Sequence, residues 1–444
     1  MPAEVGFYKQ YKTGRSNNYD IYVLFVEKGL SLLNGKGLLG FILPNKFMHQ
    51  EYGKNLRLII SDNKNLMKLL NFKDFQVFEG ATTYTCLLFL SKEPREYNLI
   101  GLYKNTGRTI ADSLFKVVFE RNSNSKIDSK PWNFCDIEEQ KIMDKLQNYP
   151  PLNNIADNIF VGLQTSADKI YHLEQIGEKE HHYMVQSKST GDKVELEKTI
   201  LKPLISGVDV KRYTTPEIKT RIIFPYTIQS GKFTLINEKT LKKEFPLLHQ
   251  YLLEYKKILG NREKGKFKGS EWYRFGRNQN IDKQHFKKIC VPRLVKRIQA
   301  ILDLNGTYYL DNVDVGGLTL KDDSDNNYKY ILALLNSKLL SFYLTRISTP
   351  FRGGFYSCNK QYLSKLPIRT INFSNPAEKA QHDKLVALVE SMLELQKKHH
   401  ETRMECDKEL YERQIKIKDA QIDRLVYDLY GLTEEEVKVV EGER

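Results

Sequence analysis

The sequence predicts an α/β first part, an α+β middle and a C-terminal run of long helices, on three observations. Helical periodicity alternates with short apolar runs between Tyr19 and Leu90, as in GLLGFILP from Gly37 to Pro44. Strand-like and helix-like stretches then interleave from Ile159 to Ile368, and beyond Pro376 Leu385, Leu388, Met392 and Leu395 recur at three-four spacing. The paired prolines of YPPL and the change of charge balance near Pro376 divide the chain into 1–150, 151–375 and 376–444.

In order, Ile21, Leu24, Phe25, Leu30 and Leu32 predict a helix over Tyr19 to Leu33, which Gly35 and Gly37 stop. GLLGFILP has the composition of a strand buried on both faces of a sheet. A second helix over Tyr52 to Ile60 and strands at Leu66 to Phe72 and Thr82 to Leu90 follow, with FQVFEGATTY between the strands. GKGLLG matches GxGxxG but leaves a helix and enters a strand, the reverse of what a nucleotide loop requires. In the middle region Tyr330 to Leu344 reads as a helix, and near the end Gly431 stops a helix before a Thr433/Glu436 capping box.

Five cysteines, Cys86, Cys135, Cys290, Cys358 and Cys406, form no pair or cluster of zinc spacing, which predicts reduced thiols and no metal site. No apolar run approaches the roughly twenty residues of a membrane helix, so a soluble, cytoplasmic protein without a membrane partner is expected.

Charge is the strongest functional signal. Lys256 to Arg297 holds fourteen Lys or Arg against three acids, an excess of eleven where the whole chain carries +14. Charge gathered so locally attracts phosphate and releases counterions on binding, which points to double-stranded DNA or another nucleic acid. Arg274, Arg277, Gln279, Arg293 and Arg297 are candidates for base contact, because guanidinium forks and carboxamides can pair bidentately with base edges. Lys266, Lys268, Lys287 and Lys288 suit phosphates, and Trp272, Tyr273 and Phe275 supply flat faces beside the arginines. Arg352 joins them because Gly353 and Gly354 permit close backbone approach to phosphate. Gln164 and Thr165 read instead as a polar turn after a strand. From Pro376 onward seventeen acids outweigh twelve bases, which excludes a DNA-binding arm there.

NNYDIYVLFVEKGLSLL, GKGLLGFILPNKF and FQVFEGATTYTCLLFL, in this order, resemble the second half of the catalytic domain of TaqI-like adenine-specific DNA methyltransferases, including the fused type IIG restriction–modification enzymes. VGLQTSADKIYHL, PLISGVDVKRY and FRGGFYSCNKQYLSKLPI resemble the target-recognition domain of the same enzymes. The resemblance implies an incomplete doubly wound methyltransferase subdomain, an α+β target-recognition domain and closing helices. It assigns Phe78 to packing against a flipped base, and Pro44 and Asn45 to the strand end beside that pocket. The family's Gly-rich S-adenosylmethionine loop and its Asn-Pro-Pro-Tyr loop have no counterpart in this sequence. The expectation is therefore that S-adenosylmethionine serves the complete enzyme and not this chain alone, and that another polypeptide, or the rest of a longer fused chain, supplies the missing half. The open side of GLLGFILP should then need a cover.

A non-catalytic sequence-specificity subunit like those of type I restriction systems is the alternative. A third possibility is a decayed gene whose basic segment meets RNA or nothing. Asp209 with Glu217 and Lys219 resembles part of a metal-dependent nuclease site, but a nuclease needs more carboxylates converging on the metal.

Overall fold

The computed structural model describes residues 6–443 apart from 17, 74, 79, 81, 82, 107, 108, 133, 135, 136, 188, 189, 230, 231 and 352. The chain forms two compact units, Met1–Gln140 with Thr345–Ser357, and Lys141–Leu344 with Cys358–Arg444. A strap from within the expected middle domain thus folds with the first unit, and the acidic C-terminal helices fold with the second.

In the first unit, helix α1 (Tyr22–Leu32) leads through Gly35 and Gly37 into strand β1 (Leu38–Pro44), then α2 (Lys54–Asp62), β2 (Leu66–Asn71), β3 (Thr85–Ser91), β4 (Tyr97–Leu102) and β5 (Phe119–Ser123). The sheet order is β1-β3-β2-β4-β5. Strand β3 runs antiparallel to both β1 and β2, so those two point the same way and end together, at Pro44 and Asn71. Val23, Val26 and Leu30 of α1 and Leu56 and Ile60 of α2 pack with Leu43, Leu69 and Leu88, which is what their helical and strand periods dictate.

Strand β1 departs from expectation. It lies at the sheet edge, and no strand pairs with its outer side among the described residues. Leu39 and Phe41 pack toward the core beside α1, whereas Leu38 and Ile42 on the other face are 58% and 45% exposed. A strand buried on both faces needs neighbours on both, and in this unit a helix layer covers only one side of β1.

The second unit holds β6 (Ala156–Val161), β7 (His172–Glu178), β8 (His182–Ser187), β9 (Lys193–Glu197), β10 (Leu201–Ile205), β11 (Thr220–Ile223), β12 (Tyr226–Gln229) and β13 (Lys232–Leu235). Helix α3 (Pro246–Glu254) precedes β14 (Lys288–Pro292), β15 (Ile301–Asp303), β16 (Tyr309–Leu310) and β17 (Val315–Leu320). Two larger sheets result, β16-β10-β11-β7-β8-β9 and β15-β14-β17-β6, beside the two-stranded β12-β13. The helix expected over 330–344 is two helices, because Ser337 breaks it with an extended backbone (φ −70°, ψ 153°) after α4 (Asp325–Asn336).

Helices α5 (Pro376–Glu401) and α6 (Glu405–Leu429) pack on each other, and Thr433 and Glu436 form the expected capping box of the last helix. Ion pairs tie α6 to the rest of the unit. Arg212 forks onto Asp419, while Arg297 reaches Asp423 at 3.3 Å and Asp419 at 3.7 Å.

Lys288 is fully buried. Its ammonium meets Asp303 at 2.6 Å and the carbonyls of Gln284 and Phe286, and Asp303 also accepts from the backbone of Thr307 and Tyr308. Removing the carboxylate would leave a buried cation without its counter-charge. Asp303→Ala is expected to cost about 3–5 kcal/mol in urea unfolding. Lys288→Met alone would strand the Asp303 carboxylate in the same way, whereas the double variant Lys288→Met/Asp303→Asn removes both charges and should cost clearly less than the two single losses combined; a loss equal to their sum would show that the pair contributes nothing as a pair.

Candidate nucleic-acid interface

The basic segment is anchored by its aromatic residues. Trp272, Tyr273 and Phe275 are buried in the core of the second unit with Tyr171, Phe224 and Tyr226. Tyr171 donates to the carbonyl of Tyr273, the Tyr226 hydroxyl accepts from Phe275 N at 2.7 Å, and Tyr273 donates to the carbonyl of Ile236. They are not stacking faces for bases, as the sequence suggested. They are hydrophobic anchors that nail down a surface strap, and Arg274 between them is half-exposed.

The strap meets the turn that follows β6. A Cβ at Gly162 would come within 2.1 Å of the Leu310 carbonyl, so glycine permits the approach through which Leu163 N bonds that same oxygen at 2.8 Å. The chain then turns through Gln164, Thr165 and Ser166, the last at φ 57°, and Thr165 caps the turn with its hydroxyl on Ala167 N. Gly276 N donates to Thr165 O at 2.9 Å and Arg277 N to Gln164 O at 3.1 Å. A side chain at Gly276 would strike Ser166 Oγ at 1.9 Å. The polar turn expected at Gln164–Thr165 therefore lies directly against the arginine-bearing strap.

The candidate cations fall into two groups. Arg274, Arg277, Gln279, Lys266, Lys268 and Arg293 are exposed or half-exposed, as are Lys264 and Asn278 beside them. Arg277 pairs with Glu263, which Lys266 also approaches at 3.7 Å, and Arg274 lies 3.8 Å from Glu271 and 4.6 Å over the Phe267 ring. The Arg277 guanidinium holds the Glu263 carboxyl below the usual carboxylate range.

The second group is committed inside the unit. Lys288 is buried on Asp303, Lys287 is bound to Asp325 at 2.7 Å and to the Asp323 carbonyl, and Arg297 belongs to the Asp419–Asp423 network and donates to Asn336 O. Lys288 is taken out of the surface, while Lys287 and Arg297 stay half-exposed but are spent on carboxylates that lie far off in sequence. Arg352 lies outside the described residues, while Gly353 and Gly354 next to it have φ 81° and 75°, a left-handed turn that glycine favours.

In the first unit, Pro44 and Asn45 close β1 at the sheet end from which the loop containing Phe78 departs. Asn45 is buried. Its amide donates to Asn71 Oδ1 at 3.0 Å and to Lys73 O at 3.2 Å, and its N–H donates to Tyr84 O at 2.9 Å, so it fastens the end of β1 to the ends of its neighbours. Phe78 is 46% exposed, whereas Phe75 packs on Tyr103 with ring centroids 4.7 Å apart. Arg57 went unnoticed in the sequence because it sits in an ordinary helical period. It is buried and donates to the carbonyls of Phe47, Gln50 and Ser129, which shapes the chain just past Asn45.

Among the described residues no group of His, Cys, Asp and Glu could hold a metal ion, and no helix is long and apolar enough to cross a membrane.

Two stretches of the chain match known families. Residues 3–78 match the Eco57I restriction-modification methylase family and residues 202–368 match the TaqI-like C-terminal specificity domain. The two matched stretches resemble, in this order, a methylase segment and the specificity domain of type II restriction–modification methyltransferases.

Its relatives include the type II restriction enzyme and methyltransferase RM.Eco57I of Escherichia coli, 29% identical over 97% of this chain and 44% of that protein. The type II methyltransferase M.BstVI of Geobacillus stearothermophilus is 23% identical over 81% of this chain and 63% of its own length. The chain thus spans about half the length of these curated relatives. Among solved structures, the type IIL restriction-modification enzyme MmeI in complex with DNA matches with a TM-score of 0.59 at 10% identity, covering 100% of this chain and 55% of that one, a likeness of fold.

Glu263 occupies the Arg277 fork that a phosphate or base edge would need. Glu263→Gln is expected to raise affinity for a scrambled DNA duplex several-fold in low salt, with the gain shrinking toward about 0.2 M salt, as measured by fluorescence anisotropy. Unchanged low-salt affinity would place Arg277 away from the duplex.

Proposed function

We propose that this chain is the DNA-binding, target-recognition portion of an adenine-specific DNA methyltransferase of a restriction–modification system, inactive until joined to the N-terminal half of the catalytic domain. The observation that carries this reading is the strap. Arg274, Arg277 and Gln279 lie within the segment that matches the TaqI-like specificity domain, on a backbone pinned by buried aromatics and hydrogen-bonded to the Gln164–Thr165 turn. A guanidinium held on a rigid backbone can discriminate base edges, whereas one on a mobile loop mainly finds phosphate.

In this reading Arg274, Arg277, Gln279 and Arg293 read bases, and Lys266 and Lys268 hold the DNA backbone. Lys287, Lys288 and Arg297 hold the domain together instead. Phe78 would stack on the extruded adenine, with its exposed ring as support, and Pro44 and Asn45 would shape the strand end beside it. The partner half would bring the S-adenosylmethionine loop and the Asn-Pro-Pro-Tyr loop, as S-adenosylmethionine use by methyltransferase relatives suggests. The open edge of β1, with Leu38 and Ile42 exposed, supports a sheet that continues into that half.

The chain alone is expected to bind duplex DNA with an affinity that falls steeply with salt, log K against log salt having a slope of several units. Anisotropy titrations across a salt series would measure it, and a flat series would overturn the reading. Calorimetry of the same chain with S-adenosylmethionine should show no binding. Tight cofactor binding would overturn the claim that the catalytic half is missing.

A further inference from the structure

Arg262 opens the left-handed turn Glu263–Gly265, whose φ values are 47°, 62° and 86°, and unlike its exposed basic neighbours it points inward. Its Nε donates to Leu259 O at 2.9 Å, Nη1 to Thr165 O at 2.6 Å, and Nη2 to Trp272 O at 2.9 Å and Arg274 O at 2.7 Å. The guanidinium also lies 4.3 Å from the centre of the Phe267 ring, the same ring that Arg274 covers. No carboxylate lies within ion-pair distance of it among the described residues. One planar fork thus joins three separate stretches of chain: the helix end at Leu259, the turn at Thr165 and the strap on both sides of Tyr273.

This arrangement is more than packing. Trp272, Tyr273 and Phe275 hold the strap to the core through their side chains, whereas Arg262 acts on its backbone. Tyr171 and Tyr226 hold the Tyr273 carbonyl and the Phe275 N–H of the strap's backbone. Arg262 adds the carbonyls of Trp272 and Arg274 to these, and it alone ties them to Thr165, whose carbonyl also receives Gly276 N. A lysine could keep the charge but not reach four oxygens in one plane.

We propose that Arg262 is a positioning residue for sequence reading: it locks the Gln164–Ser166 turn and the Trp272–Arg277 strap into one rigid surface, so that Arg274 and Arg277 are aimed at base edges without Arg262 touching DNA. The inference rests on the DNA-reading role proposed above. A few tenths of an ångström at the backbone matter here, because a bidentate contact requires both nitrogens in register with both acceptors, whereas a phosphate tolerates any approach.

The test uses the 444-residue chain, its Arg262→Lys variant, and a pool of duplexes with a randomised core. Wild type should enrich a sequence. Arg262→Lys should lose about tenfold in discrimination between that sequence and a scrambled duplex, while affinity for the scrambled duplex and its salt dependence stay within about twofold. Hydrogen exchange should quicken at the amides of Gly276 and Arg277 and stay unchanged through β14. A wild-type chain that enriches no sequence overturns DNA reading itself. A wild-type chain that enriches one, beside an Arg262→Lys variant that reads it equally well, overturns the positioning role alone. Exchange that quickens throughout the second unit would also overturn it, because Arg262 would then be a general support of the fold.

Discussion

A cation taken out of water must be met by carboxylate or carbonyl oxygens, and in the second unit this requirement decides which basic residues remain for a partner. Lys288 is met by Asp303, Arg297 by Asp419 and Asp423, Arg212 by Asp419, and Arg262 by four backbone carbonyls. Each pairing also fixes a part of the fold. Asp303 orders the turn before β16 through Thr307 and Tyr308, and the arginine–aspartate network seats α6. The positive charge of the segment is therefore divided between construction and display. Lys264, Lys266, Lys268, Arg274, Arg277 and Arg293 remain at the surface.

That division marks the limit of what the sequence makes legible. Local features are readable because their causes are local. The helix of α1, the strand of β1 and the Thr433/Glu436 capping box each follow from spacing within a few residues. The paired prolines of YPPL, by contrast, lie inside the second unit, which begins at Lys141. Whether a lysine is buried depends instead on a residue far along the chain. Lys287 and Lys288 are adjacent and chemically identical, yet one is held at the surface by Asp325 and the other is sealed over Asp303. For the same reason Trp272, Tyr273 and Phe275 looked like stacking platforms. Alternation with arginines fits a display surface and an anchored strap equally well, and the deciding contacts, Tyr171, Tyr226 and Ile236, lie elsewhere in the chain.

In the first unit the corresponding constraint is the pairing of strand edges. β1 satisfies one side through β3 and leaves Leu38 and Ile42 in water. Its apolar run was readable as a buried strand, but burial on the second face requires chain that this unit does not contain. The end of β1 is nevertheless well determined, because Asn45 spends its amide on Asn71 and Lys73, and Arg57 holds the carbonyls of Phe47 and Gln50. Phe78 stays exposed in the loop leaving that end while Phe75 and Phe72 pack with Tyr103. Of three aromatics spaced three residues apart, two build the loop and one is left for another surface.

The exposed arginines of the strap are themselves partly satisfied, and this bears on how a recognition surface can favour one sequence. Arg277 rests on Glu263 and Arg274 beside Glu271, so contact with DNA requires exchanging a carboxylate for another acceptor. A phosphate repays that exchange with a single strong contact that every sequence offers. A guanine edge offers two acceptors in the plane of the fork, in which a guanidinium of fixed orientation can use both of its donors. Pairing each arginine with a neighbouring acid lowers the affinity for every acceptor alike, so by itself it leaves the difference between sequences unchanged. In the reading proposed above, the fixed orientation of the guanidinium supplies the difference between sequences, while the internal counter-charges set how tightly the surface holds any of them.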